Sequence, residues 1–168
     1  MQNKVVIFTA PVKTGKTEVL MEWARGRANL GGILAPDLDG QRHLLKLRDR
    51  SLQAFQLSEE ALAKAPAEGV VSICKFNFRA ETFADARKTL LEDSQGRFDW
   101  VVVDEIGKLE LKGEGLEPAV SAVVDWYHSG HGHGRLMLVV REEKLPQVLE
   151  YFNITDYDTV RMGGPMPD

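Results

Sequence analysis

The chain is short of cysteine, of long apolar runs and of positive charge, and each shortage removes a class of protein. Its single cysteine, Cys74, has no partner, so an internal disulfide framework is excluded and a reducing compartment is expected. Cys74 sits in the apolar run VVSICKF, which predicts a small buried core residue. No stretch approaches the roughly 20 apolar residues that span a bilayer. The start, MQNKVVIFTAP, breaks at Pro11 too early for a secretory leader, so a cytoplasmic protein with no membrane partner is expected. Lys and Arg number 21 against 25 Asp and Glu, which leaves no general electrostatic drive toward nucleic acid. Internal repeats, linkers and low-complexity tracts are also missing. The 168 residues, 43% hydrophobic and 27% charged, fit one globular domain over residues 1–168.

What is present is an alternation of strand and helix patterns. Val5–Ala10 (VVIFTA) is a short, nearly continuous apolar run of the kind buried on both faces of a sheet. A helix is predicted over Lys16–Asn29, with Gly31-Gly32 ending it. Ile33–Leu57 reads as short strands (ILAPDL, HLLKLR, LQAFQL) extending one edge of the sheet, partly antiparallel, with turns at Asp39-Gly40 and Asp49-Arg50-Ser51. Ser58 is placed to cap a short helix. Further strands are predicted at Val70–Phe78, Trp100–Asp104, Leu136–Arg141 and Thr159–Met162, and further helices at Thr82–Asp93, Leu116–His128 and Leu145–Phe152. Such alternation implies an α/β fold, a mainly parallel sheet with helices on both faces.

TAPVKTGKTEVL carries the chemistry. Ala10–Thr17 follows the phosphate-loop pattern of a glycine, four variable residues and Gly-Lys-Ser/Thr, except that Ala10 replaces the first glycine. The loop leaves a buried strand and opens a helix, so its backbone N–H groups and the helix N-terminus face an anionic phosphate. On this reading Ala10, Pro11, Val12, Lys13, Thr14, Gly15, Lys16, Thr17 and Glu18 line the nucleotide. Lys16 reaches the β- and γ-phosphates as a catalytic cation, and the Thr17 hydroxyl ligates Mg²⁺. The second element is WVVVDEIGKLEL. Four apolar residues ahead of Asp104 put its carboxylate at the carboxyl edge of the sheet, where it holds Mg²⁺, and Glu105 next to it orients a water and takes its proton.

DEIGKLEL with GKT, in a chain of this length, resembles the small P-loop nucleoside-triphosphatases of the thermophilic and cancer-related type. GGILAPDLDGQRHLLKL, KFNFRAETFADA and GEGLEPAV continue the likeness over most of Val5 to Arg141. The resemblance implies a RecA-like P-loop fold and Mg²⁺-dependent hydrolysis of several nucleoside triphosphates, with Lys16, Thr17, Asp104 and Glu105 in the roles above. The chain departs from the family pattern at Ala10, Lys13 and Glu18. In a RecA-like order the strand ending at Arg141 lies between those ending at Ala10 and Asp104, which brings Arg141 to the γ-phosphate as a catalytic charge. Two other readings stay open here: a small-molecule or nucleoside kinase, and a nucleotide-dependent switch with little turnover. The Asp-Glu pair and the want of an arginine-rich lid favour water as acceptor. His128, His131 and His133 are read as a solvated loop, Trp23, Trp100 and Trp126 as core or partly buried aromatics, and Arg25 and Arg27 as solvent-facing.

Overall fold

A computed structural model describes residues 3–11 and 14–168. Its main sheet has eight strands. β1 (Val5–Ala10) lies between β9 (Arg135–Arg141) and β10 (Asp158–Arg161), and β8 (Trp100–Ile106) and β2 (Leu30–Leu34) follow on the β9 side, all parallel. β4 (Gln41–Lys46) then continues the sheet antiparallel to β2, and β3 (Asp37–Leu38) and β5 (Ser51–Ala54) pair antiparallel with β4. The predicted insertion of β9 between β1 and β8 is therefore found, as is the antiparallel edge built from residues 33–57.

Alternation along the strands sends side chains to two cores. Val6, Phe8, Val102, Met137 and Val139 pack beneath α1 (Lys16–Arg25) through Leu20 and Ala24. Val5, Ile7, Val101, Val103, Leu136 and Leu138 face the other way, against α3 (Ala80–Ser94), α4 (Ala119–His128) and α5 (Leu145–Tyr151). Ser58 caps α2 (Glu59–Lys64) by accepting from the Ala61 N–H.

Several expectations are corrected. α1 ends at Arg25, because Gly26 caps it before Asn29 is reached. α4 begins only after Pro118, which lacks the N–H a helix interior needs. The strand expected over Val70–Phe78 is a hairpin, β6 (Val70–Ile73) and β7 (Phe76–Arg79), forming a separate two-stranded sheet. Cys74 makes the turn with φ 54° and is exposed rather than buried. Arg27 does not point freely to solvent: its guanidinium lies 4.6 Å from the Trp23 ring centroid and donates to the Pro167 carbonyl. His131 stacks on Trp126, and among the described residues no cluster of three metal-ligating side chains exists.

Candidate functional site

The chain leaves β1 at Ala10, turns through Pro11 and Thr14, and enters α1 at Lys16. Thr14 braces the turn by donating from Oγ1 to the Pro11 carbonyl at 2.7 Å. Gly15 immediately precedes the helix with φ 81° and ψ 32°, a left-handed conformation that a Cβ disfavours. No side chain caps α1, so its first N–H groups remain open to an anion, and Glu18 is the acidic residue of the first turn. Lys16 and Thr17 are almost covered, at 8% and 9% exposure. The expected phosphate contacts of Val12 and Lys13 fall outside the described residues.

Thr17 meets the acidic strand directly. Its Oγ1 donates to Asp104 Oδ2 at 3.0 Å, and the Ala35 N–H donates to the same oxygen at 2.9 Å. Asp104 is 2% exposed, and its Oδ1 is buried with no partner among the described residues. Burial, and next the charge of Glu105, push the Asp104 carboxyl up to about 6, against the Ala35 N–H, the Thr17 hydroxyl and Arg42. A buried acceptor without a donor is costly unless a ligand completes it. A hard cation taking Oδ1 and the Thr17 hydroxyl fits this arrangement of oxygen donors.

Glu105 is set apart by an irregularity in β8. Val103 pairs with Leu138 but Ile106 with Val140, so β8 carries one residue more than its partner there. Ile106 returns to the face of Val103, which makes Glu105 the bulged residue, and its φ of 64° is left-handed. Bulges re-aim side chains, and strained non-glycine backbone concentrates at functional sites. Glu105 Oε2 accepts from Arg42 Nη1 at 2.9 Å, while Arg42 Nε donates to Asp37 Oδ1 at 2.7 Å. Burial opposes the Arg42 charge, yet the two carboxylates outweigh it and raise its pKa above the usual value. Arg42 escaped sequence reasoning because only the pairing of β4 beside β2 carries it to a residue 63 positions along the chain.

Arg141 ends β9 opposite Ala10 at the carboxyl edge. It is exposed, and among the described residues it has no ion-pair partner. Lys16, Asp104, Glu105, Arg141 and Lys144 line one cavity of about 350 Å³, whose far wall is apolar. Glu110 braces the turn after the acidic pair. It accepts from the Gly107 N–H at 2.9 Å and the Leu116 N–H at 3.0 Å, and burial raises its carboxyl to about 7.

A buried strand, a glycine-led turn into a helix, and an acid-tipped strand two places along a mostly parallel sheet define a P-loop nucleoside-triphosphatase fold. The chain belongs to the NTPase family, whose model matches residues 5–158. The THEP1 protein of the hyperthermophile Aquifex aeolicus is similar in structure, with a TM-score of 0.67 at 13% identity over 94% of this chain and 88% of that one. A human cancer-related nucleoside triphosphatase is similar with a TM-score of 0.62 at 18% identity, over 96% of this chain and 88% of that one. At these identities the likeness speaks to fold. No curated protein sequence matches significantly, and no described helix is long and apolar enough to cross a membrane.

Proposed function

We propose that the chain hydrolyses nucleoside triphosphates to the diphosphate and phosphate, with Mg²⁺ as cofactor. Family membership supports triphosphate hydrolysis in general. The observation that carries the finer reading is the Thr17–Asp104 pair with its unpartnered Oδ1, one residue from a bulged glutamate in the same cavity.

The triphosphate lies along residues 10–18, its terminal oxygens toward Lys16. Thr17 and Asp104 hold the metal, which when bound neutralises charge on the β- and γ-phosphate oxygens. Arg42 engages one Glu105 oxygen and fixes the carboxylate, leaving the other to accept from a water facing the γ-phosphorus. As the new P–O bond forms, Glu105 takes the water proton and the bond to the β,γ-bridging oxygen breaks. Arg141 and Lys16 stabilise the charge that builds on the phosphoryl oxygens and the leaving diphosphate.

A panel of nucleoside triphosphates assayed for phosphate release with and without Mg²⁺ tests this. Release that depends on Mg²⁺ and is lost in Lys16→Ala, together with triphosphate binding, is expected. Wild-type affinity in Lys16→Ala overturns the phosphate-loop assignment.

A further inference from the structure

The cavity holds more than hydrolysis needs. One attacking water takes roughly 30 Å³, whereas the cavity measures about 350 Å³, within the range of roughly 300–1,000 Å³ usual for small-molecule sites. A nucleotide does not account for the excess. From its terminal phosphate at Lys16 it runs back over the loop and the start of α1, and among the described residues of that segment Lys16 alone lines the cavity. The other lining residues come from outside the loop and α1, with Glu105 among them.

The walls of that space define what fits. Ile73, Phe78, Phe83 and Leu116 make it apolar. Phe55, Phe78 and Phe83 pack edge to face, with centroids 4.6 to 6.1 Å apart. Arg42 is paired with Asp37 and Glu105 and both Glu110 oxygens accept from backbone N–H groups, while Lys108, Arg141 and Lys144 also line the cavity. It is the apolar, aromatic part of the wall that suits an uncharged ring. The β6–β7 hairpin supplies Ile73 and Phe78. It stands outside the main sheet and is moored to the segment after β5 by Arg79 N–H to Phe55 carbonyl and Leu57 N–H to Asn77 carbonyl bonds, each 2.8 Å. Neither phosphate nor metal binding uses this hairpin. It walls the apolar half.

We propose that this half of the cavity is an acceptor site for a neutral, ring-bearing alcohol of the nucleoside or heteroaromatic type, which takes the γ-phosphoryl group in place of water. The proposal rests on the phosphate site assigned above. The acceptor oxygen bonds to the γ-phosphorus, its proton passes to Glu105, and the bond from the γ-phosphorus to the β,γ-bridging oxygen breaks to release the diphosphate. A phosphate monoester is the second product.

Cys74 provides the test, being an exposed thiol on the cavity wall and the chain's single cysteine. The full chain is incubated with Mg²⁺, γ-labelled ATP and millimolar nucleosides or heteroaromatic primary alcohols, and organic and inorganic labelled phosphate are separated. Label in a monoester is expected for at least one alcohol, which also slows alkylation of Cys74 by N-ethylmaleimide. Alkylated protein, and Ile73→Trp as an independent way of filling the space, should lower the ratio of monoester to inorganic phosphate by about tenfold or more. Cys74→Ser treated with the same reagent should keep its ratio. Phosphate release with neither monoester nor protection overturns the acceptor site and leaves the hydrolase reading standing. A ratio insensitive to alkylation and to Ile73→Trp also overturns it. Absence of both phosphate release and transfer removes the underlying phosphate site and this proposal with it.

Discussion

Glu105, the base in the proposed mechanism, sits on a backbone that a strand does not ordinarily allow. Glu105→Gln keeps the shape but cannot take a proton, so turnover should fall by roughly 10²-fold or more with little change in Mg²⁺–nucleotide affinity. Single-turnover phosphate release alongside a nucleotide-binding isotherm checks this, and an equal loss of affinity recasts Glu105 as a structural residue. In the proposed mechanism Arg141, beside Ala10, acts on charge that exists only as the bond breaks. Arg141→Ala should lower kcat by ~10- to 10³-fold and change KM less, with Arg141→Lys recovering part because lysine lacks the planar fork. Steady-state kinetics of both variants decides it; a pure KM effect assigns Arg141 to binding alone. Lys16, Thr17 and Asp104 could be singled out in the sequence because phosphate chemistry fixes residue type and spacing together, and the structure brings Thr17 and Asp104 into contact. Arg42 could not be, since nothing in QRHLLKLR tells which arginine faces an acid more than sixty residues away, and the bulge that exposes Glu105 has no local signature.

At the scale of elements, the segment from Gly107 to Leu116 is organised around the Glu110 carboxylate. Gly115 lies so close that a Cβ there would sit 2.2 Å from Glu110 Oε2, and its φ of 64° is left-handed. Gly115→Ala should destabilise the protein by ~2 kcal/mol or more, measured by urea unfolding. Glu110 itself makes stability depend on pH. Its folded pKa, about 7, stands above the ordinary 4.5, so between those values the folded state holds a proton the unfolded chain has released. Stability is then greatest below about pH 4.5 and declines as pH rises through about 7, by roughly 3 kcal/mol from this group. Asp104, raised to about 6, adds a decline of the same sign. Unfolding free energies at pH 5 and pH 8 should therefore differ less in Glu110→Gln than in the wild type; equal slopes remove Glu110 from the account. The helices were read from apolar spacing with errors mostly at their ends, where Gly26 and Pro118 act. The β6–β7 hairpin was missed because VVSICKFNF is mostly apolar and β-prone, and its turn at Cys74-Lys75 carries none of the usual Gly, Asn or Asp.

Across the whole molecule, the final residues bind back onto the first helix and the sheet. Trp23 Nε1 and Arg27 donate to the Pro167 carbonyl, Trp100 Nε1 donates to an Asp168 oxygen, and Met166 packs beneath α1. Removing residues 165–168 should cost about 1–3 kcal/mol, a few degrees in Tm, and shift tryptophan emission to the red. Calorimetry and fluorescence of the shortened chain check it, and an unchanged Tm shows that the segment contributes nothing. The parallel core and the β9 insertion were legible from the alternation of elements. The tail was not, because its contacts are carbonyl oxygens, which every residue has.

The neighbours of β1 also set a timetable. Among the described residues β1 pairs with β9 and β10 alone, beginning at Val5 opposite Leu136 and ending at Thr9 opposite Arg161. At about 5–20 residues per second, a ribosome needs roughly 7–26 s to make the chain between the first strand and its earliest partner. Throughout that interval the nascent β1 has neither edge paired.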